Sequence, residues 1–385
     1  MSVTAPGNTA QQARLAPVIP FNQASRRAQE QPLTFTVTPG TAPLTLGPSD
    51  LTPNGFLRAT EIHVSTVTAG SGNTAGDLFP FNIFQNLQFI DTGGQKMDDL
   101  PGIHVLMDNI VGGWTLKCDP RGDYDYSAAA NSPNFRLRLE REIFGDGRGA
   151  LPNLSGSQKY RIRMVVDALS NIYSVVGTAP TLKIDVVDQL WLLPAAQDGG
   201  GHPQQRQPPL LGLAQYRTSF YPAISVTNPQ VDIQIKATGN LIKYIVLLAR
   251  DNTGARNDAV FPDPFTLRLD NSYPYDNVPL AEVISSSMRF LPQAVQRDTG
   301  VVFLPFDYGR DGRFAGQDGV SPWLPTSTAT WIELKGRQAT TTNGTIDILV
   351  CEVSVAEVDP NERAAIGSMT GTWQPAIPQN VPGGV

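Results

Sequence analysis

Short segments of alternating apolar and polar residues recur along most of the chain. The clearest are residues 135–140, FRLRLE, and residues 231–236, VDIQIK. Such alternation is typical of β-strands with one buried face, and the segments are separated by turns rich in Gly, Pro, Asn and Asp. The pattern predicts an all-β protein.

We predict strands in both halves of the chain. They cover residues 33–37, 60–66, 79–90, 135–140, 160–166 and 182–193, and then 231–236, 240–248, 267–269, 301–306, 330–334 and 346–355. The segment 79–90 is apolar enough to be covered on both faces, and 240–248 is predicted to be a long apolar strand. Short helices are predicted within 96–110, interrupted by Pro101, and at 280–290.

The segment 197–212, QDGGGHPQQRQPPLLG, divides the chain. Three consecutive glycines and three prolines do not suit a strand or a helix, so we interpret it as a linker. The predicted organisation is an N-terminal arm (1–31), a first β-sandwich (32–196), the linker (197–212), a second β-sandwich (213–358) and a C-terminal tail (359–385).

A weak repeat relates the two halves. Asn86-Leu87, an aromatic-Ile pair and a turn at 91–93 are echoed by Asn240-Leu241, a second aromatic-Ile pair and a turn at 251–254. A possible helix follows in each half. We interpret this as duplication of one sandwich.

Composition limits the functional classes. Only 17% of residues are charged, while Gly and Pro number 35 and 32, which favours turn-rich β structure with extensive buried contact. The net charge of −6 gives no general attraction to nucleic acid, and we expect no direct sequence-specific binding of it. Without a membrane-length apolar run or an apolar signal-peptide core, we expect synthesis in a cytoplasm without export through a signal-peptide route.

Candidate catalytic and metal-binding residues are few. His63, His104 and His202 lie far apart in sequence, so structural roles are favoured for them. Cys118 and Cys351 are expected to be buried free thiols. No motif indicates a cofactor, and none is expected.

Carboxylates leave two alternatives open. Two aspartate groups could bind structural calcium, although we favour solvated turns for both: Asp119, Asp123 and Asp125, and Asp307, Asp311 and Asp318. Glycosidases need two carboxylates that folding brings together, and Glu140, Glu333 and Glu352 lie on predicted strands. We favour outward-facing partners of Arg and Lys for these glutamates, and we predict no enzymatic activity.

The N-terminal arm is locally basic. Arg14, Arg26 and Arg27 are accompanied by a single acid, Glu30. We expect them to contact a phosphate-bearing surface or a neighbouring subunit, with a disordered tail as the alternative.

Tandem β-sandwiches with a basic arm and no evident active site resemble a known family. The most specific segment is Val231 to Gly254, VDIQIKATGNLIKYIVLLARDNTG, together with the helix at 280–290 and the strand after it. They are similar to the second jelly roll of the double jelly-roll major capsid proteins of tectivirus-type bacterial viruses, which are tailless and contain an internal membrane.

The resemblance implies two tandem eight-stranded jelly rolls with short helices in their loops. It further implies a homotrimer that forms a pseudo-hexagonal capsomer in an icosahedral virion capsid. Lateral capsomer contacts, penton and minor capsid proteins would be partners, and the arm would lie toward internal membrane lipid. The linker departs from the family pattern because it looks longer and looser than packed domains require.

Two other functions remain open from the sequence. One is a virion spike or carbohydrate-binding protein with tandem sandwiches. The other is a β-sandwich glycoside hydrolase.

Overall fold

The computed structural model describes residues 18–112, 119–143, 147–209, 214–270, 272–288, 297–306 and 324–355. Its sixteen main strands are β1 (Arg27–Val37), β2 (Leu44–Asp50), β3 (Phe56–Thr68), β4 (Phe84–Ile90), β5 (Lys96–Leu100), β6 (Phe135–Glu140), β7 (Arg161–Val166), β8 (Thr181–Trp191), β9 (Ala214–Val226), β10 (Gln230–Lys236), β11 (Leu241–Asp251), β12 (Phe265–Leu269), β13 (Ser272–Val278), β14 (Val301–Pro305), β15 (Trp331–Arg337) and β16 (Gly344–Val355).

Helices and minor strands lie between them. The α-helices are α1 (Phe21–Ala24), α2 (Gly102–Gly112), α3 (Leu169–Ile172) and α4 (Leu280–Met288). Three-residue 3-10 helices cover Phe81–Ile83, Pro120–Gly122 and Asp258–Val260, and short strands cover Thr74–Ala75, Leu151–Pro152, Tyr173–Val175 and Leu324–Pro325. In the described part of the chain, no helix is both long and apolar enough to cross a membrane.

The strand order is that of two jelly rolls. The first sandwich pairs the sheets β1-β8-β3-β6 and β2-β7-β4-β5, and the second pairs β9-β16-β11-β14 and β10-β15-β12-β13. Adding eight to each strand number of the first sandwich gives the second. Two facing sheets of this kind form the eight-stranded jelly roll, so the predicted fold class is confirmed.

Alternation along the strands builds the two cores. In the first sandwich, Ile62 and Ile184 point inward to the same cluster as Phe89 on the opposite sheet. In the second, Ile245 and Ile348 belong to a separate cluster. In the first sandwich the polar residues between these inward positions lie on the outer faces, as expected for sheets with one buried side.

Four main strands escaped the sequence analysis: β5, which lies in a segment predicted to be helical, and three strands that contain proline. Pro48 lies in β2, Pro222 in β9 and Pro274 in β13. Each strand is at the edge of its sheet. Proline lacks the backbone N–H. In a central strand every N–H donates to one of the two neighbouring strands, whereas an edge strand has positions whose N–H has no strand partner, and proline is tolerated there.

The region 79–110 also differs from its prediction. Strand β4 begins at Phe84, after a 3-10 turn, and the segment before Pro101 is strand β5. Helix α2 begins only after Pro101. Pro101 therefore separates a strand from a helix, where one interrupted helix was predicted.

The repeat exists, but its predicted register was wrong. Asn86 lies in β4, the fourth strand of its sandwich, whereas Leu241 opens β11, the third strand of the other. The true counterpart of β11 is β3. The helices do correspond, because α2 and α4 each follow the fifth strand of their sandwich.

The arm and the linker are packed together in their described parts. Strand β1 begins at Arg27, inside the predicted arm, and the Phe21 ring packs edge-on against Phe56 at 5.4 Å. The N–H of Ile19 donates to the Pro203 carbonyl at 2.9 Å, and the N–H of Gln205 donates to the Ile19 carbonyl at 2.9 Å. The linker is thus held at these points and is less loose than predicted, because its prolines still accept through their carbonyls.

Candidate functional site: the seam between the two sandwiches

The two sandwiches meet along one extensive surface, which we call the seam. On the first sandwich it is formed by α2 and β5, and on the second by the outer face of the sheet β9-β16-β11-β14. Apolar residues on that outer face belong to the same buried cluster as the first sandwich's core. The seam is therefore built like a domain interior.

Strand β11 is buried on both faces. Tyr244 and Val246 point into the seam, whereas Ile245 and Leu247 point into the core of the second sandwich. This explains the uninterrupted apolar run that the sequence shows at 240–248. A strand covered on both sides has no solvent-facing position to make polar.

Helix α2 is also enclosed, because all its residues are buried. On one side Asn109 binds β6, accepting from the N–H of Arg138 at 2.9 Å and donating to its carbonyl. Asp108 faces the second sandwich. These neighbouring residues anchor the helix to both sandwiches.

Asp108 is the most heavily bound polar group of the seam. Its Oδ1 accepts hydrogen bonds from the Tyr216 and Tyr244 hydroxyls, the latter at 2.6 Å, and from Cys351 Sγ at 3.1 Å. Burial raises the pKa of Asp108, although the hydrogen bonds from the two tyrosines act against this rise. Strands β9, β11 and β16 are thereby joined to α2 at one atom.

A second polar group lies near the start of α2. His104 Nε2 is 3.3 Å from Asp347 Oδ2, and Arg250 Nη2 donates to the same oxygen at 2.8 Å. Burial lowers the pKa of His104. Burial would raise that of Asp347, but His104 and Arg250 outweigh burial and lower it. The His104 ring also packs on Phe220, with centroids 4.4 Å apart.

A third group involves a fully buried arginine. Arg141 donates to Asp98 Oδ2, and Asp98 Oδ1 accepts from the Thr218 hydroxyl of the second sandwich at 2.8 Å. The guanidinium lies over the Phe89 ring at 4.6 Å, and burial lowers the pKa of Arg141 to about 9. Two further ion pairs lie at the margin of the seam. Arg121 is 3.0 Å from Asp298, and Arg256 is 2.9 Å from Asp77.

Open space along the seam is polar. One cleft of about 400 Å³ includes His104, Asp347 and Arg250 in its wall, and another of about 490 Å³ includes Glu352 and Arg217. Neither contains the grouping of His, Cys, Asp and Glu that a metal needs, and the whole described part of the chain has none.

The first aspartate group is engaged by arginines. Asp119 accepts from Arg121 at 2.8 Å, and Asp125 accepts from Arg136 at 2.9 Å. Asp123 is 3.9 Å from Arg136. These pairs account for the carboxylates without calcium. The second group, Asp307, Asp311 and Asp318, lies outside the described residues.

The three candidate glutamates are separate and bound. Glu140, expected to face outward, is buried against Arg138, and burial raises its pKa. Glu333 lies 3.0 Å from Lys335 Nζ. Glu352, also buried, accepts from Asn240 at 2.8 Å. Each has structural partners, but Glu140 and Glu352 are buried where outward-facing partners of Arg and Lys were favoured, and the donors to Glu352 include Ser219, Thr238 and Asn240.

The basic residues of the arm differ in position. Arg27 is exposed and places its guanidinium 4.9 Å from the Trp191 ring centre, while Arg26 is exposed beside it. Arg14 lies outside the described residues. Of the cysteines, Cys351 is a buried free thiol in the seam and Cys118 lies outside the described residues.

Sequence reasoning missed the polar residues of the seam. Asp108 and Tyr216 are separated by 108 residues, and Asp108 and Cys351 by 243. The available signal was an aspartate inside the otherwise apolar helical segment VLMDNIV, since a buried carboxylate needs donors.

No family model matches the chain, and no curated protein matches it. Solved structures do. The crystal structure of the STIV MCP, a major capsid protein, superposes with a TM-score of 0.55 and 14% identity, covering 86% of this chain and 97% of that one. The chain has the fold of a double jelly-roll major capsid protein.

Two further structures are similar. A chain in the atomic structure of Sulfolobus Turreted Icosahedral Virus gives a TM-score of 0.56 at 14% identity, covering 89% of this chain and 96% of that one. The major capsid protein P2 of bacteriophage PM2 gives 0.48 at 10% identity, covering 85% and 99%.

Proposed function

We propose that this protein is a viral major capsid protein that assembles through homotrimers into an icosahedral shell around an internal membrane. The observation that carries the proposal is the seam, which joins two jelly rolls of identical strand order into one rigid pair. The shared fold with the STIV MCP supports it. Three such pairs place six sandwiches in a ring, which gives a pseudo-hexagonal capsomer.

A structural role also agrees with the polar groups of the seam. Buried Asp108 accepts hydrogen bonds from two tyrosines and a cysteine of the second sandwich, and buried Asp98 accepts from Thr218 across the seam. Catalytic acids and bases need access to a substrate. We therefore propose that the protein is not an enzyme.

The remaining partners follow from the same proposal. Capsomers would contact one another laterally, and would meet penton and minor capsid proteins where the lattice changes. Arg14, Arg26 and Arg27 would face internal membrane lipid or neighbouring subunits. The protein would be synthesised in the host cytoplasm and would function in the virion capsid.

Electron microscopy of the purified protein tests this function. After an increase in protein concentration and a change of salt, we expect closed shells of uniform diameter. Irregular aggregates, or a protein that stays dispersed under every condition, would contradict a coat-protein role.

A further inference from the structure

The duplication gives each half of the seam a counterpart elsewhere in the chain. Helix α4 and strand β13 correspond to α2 and β5, and the outer face of β1-β8-β3-β6 corresponds to that of β9-β16-β11-β14. The surface of α2 and β5 meets the outer face of β9-β16-β11-β14 inside one chain, in the seam. The counterpart surfaces belong to different sandwiches and are not the ones joined in the seam, so a second copy of the chain can bring them together in the same way.

The two counterpart faces differ in chemistry. One row across the seam face consists of Phe220, Leu349, Val246 and Phe303 on neighbouring strands. A row across the counterpart face consists of Thr34, Asp185, His63 and Arg136. The seam face is apolar because it is buried during folding. Its counterpart is polar, as suits a surface that stays in water until a partner arrives.

The helices show the same contrast. All of α2 is buried, whereas α4 buries Leu280 and Val283 and exposes Ala281, Glu282 and Ser285. Small side chains allow close approach of another surface. The polar helix therefore matches the polar face, as the apolar helix matches the apolar face in the seam.

The register of β8 against β16 can be fixed from their buried residues. Leu182 and Ile346 are the first inward residues, and each strand carries a buried acid six positions later, Asp188 in β8 and Glu352 in β16. In this register, Lys183 corresponds to Asp347.

The helix register follows from the first helical residue. His104 is the third residue of α2, and Glu282 is the third residue of α4. In the seam, His104 lies 3.3 Å from Asp347. The corresponding pair is Glu282 with Lys183, an acid with a base.

We propose that α4 and β13 of one copy pack on the β1-β8-β3-β6 face of a second copy, with Glu282 paired to Lys183. This assignment rests on the proposed trimer and names the surfaces that form it. The contact is heterologous, and such a contact closes into a ring when its rotation is right. In the proposed trimer, three such contacts close the ring.

Lys183 is accessible for this pair. Its side chain is 43% exposed and its Nζ lies 2.8 Å from Asp185. Asp185 also accepts from Gln31 and Thr34, at 2.7 and 2.8 Å. Asp185 thus keeps partners when Lys183 turns toward Glu282.

Charge reversal tests the pairing. We expect Glu282→Lys and Lys183→Glu each to weaken trimer formation at least about tenfold, because each places like charges together. The double variant restores an opposite pair and is expected to restore trimers. Asp232→Lys and Lys159→Glu are matched controls on other surfaces and should form trimers like the wild type. Thermal unfolding of every monomer checks that each variant is folded.

The outcomes separate this assignment from the proposed function. Weakened single variants with a restored double variant support the assignment. Single variants that form trimers as well as the wild type, or a double variant that is no better than either, overturn it while the coat-protein proposal stands. A wild type that never forms trimers overturns both.

Discussion

Buried polar residues define how the two sandwiches fit together. Asp108 and Asp98 each accept hydrogen bonds from strands of the second sandwich, and His104 lies 3.3 Å from Asp347 of that sandwich. Removing one partner of such a group leaves another buried and unsatisfied, at a cost of about 1–3 kcal/mol. An apolar seam alone would tolerate sliding, whereas the hydrogen bonds to Asp108 and Asp98 are made in a single register.

The buried carboxyl group of Asp188 provides a test of how the burial of one residue makes stability depend on pH. It is 1% exposed, its Oδ1 accepts from the Thr60 hydroxyl at 2.8 Å, and burial raises its pKa to about 7. Between about pH 4 and pH 7 the folded protein then holds a proton that the unfolded chain has released. Wild-type stability should therefore fall as the pH rises through this interval.

The variant Asp188→Asn cannot titrate and lacks this effect. We expect the free energy of unfolding of the wild type, relative to the variant, to fall by up to about 4 kcal/mol from pH 4 to pH 8. Urea unfolding at both pH values measures it. If the difference in free energy of unfolding between the wild type and the variant is the same at pH 4 and pH 8, Asp188 is ionised in the folded protein at pH 4.

Among the elements, β11, β16 and α2 are those in which we expect substitutions to lower the free energy of unfolding most. Leu349 lies in the middle of the apolar seam face and is fully buried. We expect Leu349→Ala to lower the free energy of unfolding by about 2–5 kcal/mol, because a cavity forms where the sandwiches meet. Urea unfolding measures this loss.

Ser65 provides the control for that substitution. It lies on the outer face of β3, on the counterpart of the seam face, and is half-buried. Ser65→Ala should change stability by less than about 0.5 kcal/mol. Equal losses for both variants would contradict the assignment of the apolar face to the seam.

The elements that the sequence predicts well are those whose pattern has a local cause. Strands such as β6 and β10 alternate because one face is buried, whereas residues 244–249 of β11 are all apolar because both faces are buried. Edge strands β2 and β13 carry proline and were missed. Their position at an edge is a property of the sheet, and the local sequence does not report it.

The seam could be predicted only in part. The apolar character of 240–248 predicted a strand, but did not indicate that the other sandwich covers its second face. Asp108 has its partners on β9, β11 and β16, all from the other sandwich. Contacts this distant in sequence depend on how the sandwiches dock, so the residue pattern near Asp108 could not reveal them.

The molecule as a whole consists of two sandwiches with the same strand order. They contact each other through the seam, and the equivalent pair of surfaces is left without this contact in the single chain. The seam joins α2 and β5 of the first sandwich to the outer face of the sheet β9-β16-β11-β14 of the second. The corresponding surfaces, α4 with β13 and the β1-β8-β3-β6 face, remain accessible in the single chain. A ring of three chains is the smallest closed assembly in which every sandwich makes the same contact.

The solution mass of the purified protein, measured by light scattering over a range of concentrations, tests this arrangement most directly. We predict a stable species of three chains, each of 41.6 kDa, that persists when the protein is diluted. A monomer at every concentration, or a stable dimer, would contradict the ring of six sandwiches and the capsid function built on it.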